Sequence, residues 1–564
     1  MAERKFYERI SAASVMPPKD ASQDWLVNAE RDGVRLLTRE ENDFVILYAS
    51  FQALLIIAVF GEASRLAAPD KDELYNSSFY TDEAWCIQKA YGGGQGHRMY
   101  LEPPLDFPEK HPLHGAEPIV FRRSFDGMSD YDPAIEISQK LVHSLGLHFI
   151  PERSAYCRLN SEGDLEEIIQ VFRDVGTGEF DGRRTLVLIK AEQLAEFMAV
   201  GGYSLYRKFD VTRFVPGSFS QWDRSESHFD APDLFYNKGL SSGNASYIHG
   251  GQILRPTITV EELIEEWKRE GDPDAREYET FKIHDWKNNR LVEWSSAPSE
   301  ISNYFTKSDK PFEISPAYFS PEVLTKYKAD PEKYDLRDRS ITCRNAWYLK
   351  TFDINEAGQV HTYIGYLQSL PFKEQQHWKL HNEWPKGGLS KRAIETDFKG
   401  EFSLESDPLQ SMRYAVSELD RDPPAWWRAR GSQLRERVHY PVTTSSKEWA
   451  DELLALDQMI VEGFVATEVR KFAVAANVKI DTSWGSLKLI QEILRARDSL
   501  TADQIIDSLK ELHHLRSKVP GHHTGERKKL EAGAVSQHGS LTAHFRDLCA
   551  RCADSFDIIL ETLR

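Results

Sequence analysis

From residue 24 to about residue 400 the apolar positions come in short runs rich in β-branched and aromatic side chains, separated by clusters of turn-forming residues. Such runs at 119–125 (IVFRRSF), 155–159, 185–189 (TLVLI), 203–209 and 347–352 predict strands. Helical spacing predicts helices over 133–145, 191–200, 260–269 and 373–383. The regular strand–helix alternation of a doubly wound sheet is missing, so the region reads as α+β with mostly antiparallel pairing. The longest apolar stretch, VILYASFQALLIIAVF at 45–60, is shorter than the ~20 residues a spanning helix needs. Ser50 and Gln52 interrupt it, and Asp43 and Glu62 bracket it, which predicts a buried strand or core helix and no membrane insertion.

The period changes towards the C-terminus. Between 405 and 445, Pro408, Pro423, Pro424 and Pro441 punctuate a stretch carrying Trp426, Trp427, Arg428, Arg430, Arg435 and Arg437, which reads as a linker. Its tryptophans are expected to anchor it on a neighbouring domain, although a Trp-Trp-Arg cluster also suits stacking on single-stranded bases. After it, Ser445 and Glu448 form a capping-box signature, and apolar residues from Trp449 to Phe472 predict one long helix to about Asn477. Further helices are expected over 484–497, from Thr501 with Gln504 to a stop at Pro520 and Gly521, and over 540–563. The expected organisation is an α+β region over 1–300, a second α+β subdomain over 301–404, the linker over 405–445, and an all-α four-helix bundle over 446–564.

Charge sharpens this division. The 564 residues carry a formal charge of −18, which makes the whole molecule unsuited to coating nucleic acid. Only about −2 of it belongs to 446–564, and about −16 to the rest. Within the bundle, Lys510, Arg516, Lys518, Arg527, Lys528 and Lys529 gather around His513, His514, His522 and His523, a local patch able to receive phosphate. The five cysteines are odd in number and sparse, and the first ten residues have no apolar core of an export signal, so a cytoplasmic protein is expected.

The segment LHHLRSKVPGHH at 512–523 puts Arg516 and His522 five residues apart where a helix breaks into a loop. Arginine offers a permanent fork for phosphate oxygens, and histidine moves protons near neutral pH. With the RNA 2′-hydroxyl as internal nucleophile, those two groups suffice without metal or cofactor. On this motif and its helical context, the last 120 or so residues resemble the HEPN superfamily, whose bundles carry an arginine, four to six arbitrary residues and a histidine; here Ser517 follows the arginine where members often have Asn, Asp or His. The resemblance implies a metal-independent endoribonuclease acting in prokaryotic defence or stress. Arg516 and His522 would be the catalytic pair, with His523 as the alternative histidine, and two bundles would meet in a homodimer. Lys510, Lys518, Arg527, Lys528 and Lys529 would bind RNA, and the larger region would sense a trigger. A different class stays open, a non-catalytic defence or CRISPR accessory protein whose bundle binds a protein partner and is released by cleavage in the linker.

Three weaker patterns have bland readings. YGGGQGHR, with Gly92, Gly93, Gly94 and Gly96, predicts a hairpin loop in preference to a phosphate cradle. His377 and His381 beside Glu383 predict a helix surface, since no third metal ligand accompanies them. Cys549 and Cys552 fall in a helical stripe and predict packed thiols.

Overall fold

The computed structural model describes residues 7, 8, 10, 11, 14, 22–38, 43–79, 84–92, 96–123, 133–174, 184–217, 224–241, 243–400, 407–443, 445–497, 501–519 and 525–563. The chain is α+β and forms two compact units, residues 1–160 with 165–272, and residues 273–564 with the short insert 161–164. The division falls at 272/273, not near 300 as the sequence suggested.

The first unit is built on an antiparallel sheet. Its strands run in the order Ser225–Asp230, Leu234–Ser241, Ala245–Leu254, Tyr203–Phe214, Leu54–Glu62, Phe44–Phe51, Arg184–Lys190, Leu165–Asp174, Ala155–Leu159 and His148–Ile150. The apolar run 45–60 is a hairpin: Phe51 pairs with Leu54 across a two-residue turn, and both strands are central in the sheet. Its near-continuous hydrophobicity follows from burial on both faces. Leu47, Ile57 and Val59 join one core, while Ile46, Ala49 and Ile56 join another. Helix α1 (Ala191–Gly201) follows a central strand, and its buried Leu194, Phe197 and Met198 pack into the first of these cores. Helix α2 (Val260–Gly271) starts from a complete capping box, Thr259 with Glu262. The helix expected over 133–145 is a strand, Ala134–Ile137, followed by a short helix, Gln139–Ser144.

The second unit has an α+β part and a helical part. In the former, strands Thr280–Asp285, Arg290–Ser295, Pro316–Phe319 and Val360–Tyr363 form an antiparallel sheet, and Trp378, Tyr327 and Phe319 fill the core beside it. The segment expected to be a linker is folded. Helix α3 (Pro408–Arg421) buries Leu409, Met412, Val416 and Leu419 in the same core as the following helices, and Trp426 and Trp427 are buried there too. The tryptophans therefore anchor, as expected, but the chain around them is part of the domain.

The single long helix expected from 446 to 477 is two, α4 (Ser446–Ile460) and α5 (Ala466–Ala475). The break has a cause outside the helix. Phe464 bridges to Trp427, and the Arg428 amide donates to the Gly463 carbonyl, so residues 461–465 are drawn into pairing with the tryptophan segment. A Cβ on Gly463 would lie 2.4 Å from the Trp427 ring. The remaining helices are α6 (Ser486–Arg497), α7 (Ala502–Lys518), α8 (Gly525–His538), which the periodicity did not predict, and α9 (Leu541–Leu563). Helix α9 supplies the central stripe Phe545, Leu548, Cys552, Phe556 and Ile559.

Candidate functional site

The C-terminal end of α7 buries Leu509, Leu512 and Leu515 and turns His513 and Arg516, three residues apart and so on one face, towards the end of α4. There they meet Asp457, a carboxylate with no exposed surface at all. His513 Nδ1 lies 3.0 Å from Asp457 Oδ1, and Arg516 Nε lies 3.5 Å from Asp457 Oδ2. Arg516 Nη2 donates to Glu462 Oε1, and Arg430 approaches the other Glu462 oxygen at 3.8 Å. Arg430 is itself fixed by its Nε donating to the Gln458 carbonyl and its amide donating to Asp420.

The side chains that point outwards are partly exposed, His513 at 49% and Arg516 at 32%. A buried anchor thus carries two polar groups at the surface of the bundle. Burial pushes the Asp457 carboxyl above its ordinary range, against the opposing pull of His513 and Arg516. When Asp457 is ionised, the His513 Nδ1 that faces it carries the ring proton, which leaves Nε2 as the acceptor. The arrangement can hold an oriented general base beside a guanidinium.

Among the residues expected to be catalytic, Arg516 is in this cluster, and His522 and His523 lie outside the described residues. The five basic residues expected to hold RNA are dispersed in their contacts. Lys510 donates to Gln491, Lys518 pairs with Glu526 at 3.2 Å, and Arg527 is held by Glu531 and the Ser446 hydroxyl. Lys528 and Lys529 are exposed. Sequence reasoning missed Asp457, Glu462 and Arg430 as members of the cluster. It counted His513 only as part of a basic patch.

The weaker patterns resolve as follows. His377 and His381 do sit at one helix end, but His377 Nε2 lies 2.9 Å from the Val323 carbonyl and His381 Nδ1 faces the Ser320 hydroxyl. Among the described residues no group of three His, Cys, Asp or Glu is placed to hold a metal. Cys549 and Cys552 are fully buried, and burial pushes the Cys552 thiol up to about 12. The glycine-rich segment joins the paired strands Cys86–Tyr91 and His97–Glu102, while Gly93 and Gly94 lie outside the described residues. Among the described residues no helix is long and apolar enough to cross a membrane. Comparison with protein-family models, with curated proteins and with solved structures finds no match for this chain.

Proposed function

We propose that the helical part of the second unit cleaves RNA without a metal, at the cluster formed by Asp457, His513 and Arg516. In this reading His513 Nε2 removes the proton of a 2′-hydroxyl, and the resulting oxygen attacks the adjacent phosphorus. The bond to the 5′-oxygen breaks, leaving a 2′,3′-cyclic phosphate and a 5′-hydroxyl once that oxygen takes up a proton. Arg516 holds the phosphate oxygens as negative charge builds on them. His522, or His523, is the group the sequence offers as proton donor to the leaving oxygen.

One observation carries the reading: Asp457 is buried completely, and the polar side chains it meets include an imidazole and a guanidinium that reach the surface. Buried carboxylates with shifted pKa beside a histidine concentrate at functional sites. An effector role in prokaryotic defence, with a cytoplasmic location, belongs to the same proposal and rests on the sequence resemblance.

The full chain incubated with fluorescently end-labelled RNA in excess EDTA tests it. Cleavage is expected, with 2′,3′-cyclic phosphate ends by mass spectrometry, and none at a position where the 2′-hydroxyl is replaced by hydrogen. His513→Ala, Arg516→Ala and His522→Ala should each lower the rate by about 10²–10⁴-fold. Equal rates in all four proteins, or cleavage that needs added metal, would sink the proposal.

A further inference from the structure

Helix α2 of the first unit has the sequence of a buried helix and the surroundings of an exposed one. Val260, Leu263, Ile264 and Trp267 recur at i, i+3, i+4 and i+7, which is the apolar stripe of a helix that packs on something. Yet none of its twelve residues is buried. Trp267 is 73% exposed, Ile264 42% and Val260 37%. A free helix of this length is marginal in water even with good caps, so the stripe represents unused burial.

Between α2 and α1 runs an open groove of about 1030 Å³. Seven glutamates line it, Glu192 and Glu196 from α1 with Glu261, Glu262, Glu265, Glu266 and Glu270 from α2, against two arginines, Arg158 and Arg269. The apolar side chains of the same lining are Ala195, Val200, Ile258, Leu263 and Trp267, so that Leu263 and Trp267 of the stripe face the groove, and Val200 is 68% exposed. An apolar strip flanked by carboxylates selects a partner of opposite pattern. A lipid surface is disfavoured, because helices that lie on anionic membranes carry lysine and arginine beside their apolar face, not glutamate. Nucleic acid is disfavoured by the same charge.

We propose that this groove receives a cationic amphipathic helix of a partner protein, with Trp267 as the anchor and the glutamates fixing orientation. The interaction uses the helix-in-groove mode, in which apolar side chains at i, i+3 and i+7 of the ligand enter the groove. Buried tryptophans dominate the energetics of such contacts, and the carboxylates govern capture rate and salt sensitivity.

The test uses the full chain and a fluorescein-labelled peptide of about 18 residues, five turns, made of leucine and lysine in amphipathic register, beside a scrambled peptide of identical composition. Anisotropy should show binding of the amphipathic peptide, weakened by salt, with the scrambled peptide bound at least about tenfold more weakly. Trp267→Ala with Glu266→Lys should cost about tenfold or more, while the control reversals Glu332→Lys and Glu356→Lys, exposed in the other unit, should leave affinity unchanged. Equal binding of both peptides, or equal losses in site and control variants, would show only attraction to an acidic protein and overturn the proposal. Preference for phosphatidylserine vesicles over the peptide would overturn it too, as would self-association abolished by Trp267→Ala in a chain that ignores the peptide.

Discussion

Replacing Asp457 with asparagine keeps the shape of the side chain and an acceptor oxygen for His513 Nδ1, but removes the charge. Burial is the largest influence on this carboxyl and raises its pKa in the folded chain, so the fold disfavours the ionised form. Because the folded value lies above the unfolded value of about 3.9, the stabilisation from protonated Asp457 is complete below that pH and is lost as pH rises through the folded value. At neutral pH, asparagine is therefore expected to leave the local stability of α4 and α7 unchanged or to raise it by about 1 kcal/mol. The contrary expectation is just as definite. If Asp457 were a structural ion-pair partner for Arg516, its removal would cost about 2 kcal/mol, less than a fully buried pair because Arg516 is partly exposed. Glu462 tempers that penalty by retaining Arg516 Nη2.

Amide hydrogen exchange on the full chain reads the opening free energy of these two helices directly, without assuming that both units unfold together. The same variant should lose RNA cleavage by about 10²–10⁴-fold, since the imidazole is no longer held in one tautomer by a charge. A loss of about 2 kcal/mol or more in α4 and α7, with cleavage unaffected, would refute the reasoning. It would make the cluster a structural clamp.

Three further outcomes are expected. Gly463→Ala puts a methyl group into the buried Trp427 ring, and overpacking there should cost about 1–3 kcal/mol by thermal or urea unfolding. His361 is buried and its ring nitrogen accepts the Ser390 amide; burial holds its pKa down to about 4. With the folded value below the unfolded one of about 6.5, its contribution is full above that pH and is lost as pH falls towards 4. Roughly 3 kcal/mol of pH-dependent stability should thus disappear from the pH profile of His361→Gln relative to the wild type. Lys328 reaches both Glu448 and Glu452 at 2.6 Å; Lys328→Met leaves two neighbouring carboxylates in a poorly solvated place and should destabilise the second unit by about 3 kcal/mol at pH 7, less at pH 4, as followed by thermal unfolding.

Local pattern revealed most elements whose burial is decided by their own sequence. The helices at 191–201 and 260–271 begin and end within two residues of the expected bounds, because a cap or a turn residue closes each one. The run 45–60 was legible as buried but not as a hairpin, since a strand covered on both faces has lost the alternation that would mark its register. The break between α4 and α5 was illegible for a different reason. Helical periodicity continues through Val461 to Val465, and what interrupts it is the Trp427 segment more than thirty residues upstream. The supposed linker failed likewise: its prolines were read as exposure, yet Pro408 sits at the first turn of α3, where a missing amide hydrogen costs nothing.

The candidate site had one overlooked local sign. Asp457 follows Leu453 and Leu456 and precedes Ile460 in the buried stripe of α4, where periodicity calls for an apolar residue. Its partners could not be found by the same route, because 56 residues separate it from His513 and only packing of α4 on α7 joins them. Their charges then impose a condition on function. With Asp457 ionised and His513 neutral, Asp457 and Glu462 balance Arg430 and Arg516 and the cluster has no net charge. A phosphodiester arriving at Arg516 adds a negative charge that protonation of His513 would offset. In the proposed reaction that proton comes from the 2′-hydroxyl, so the charge that favours the bound phosphate grows as the attack proceeds and not before it. Binding equally strong before and during attack would bring no acceleration, and the cluster in that charge state avoids the waste.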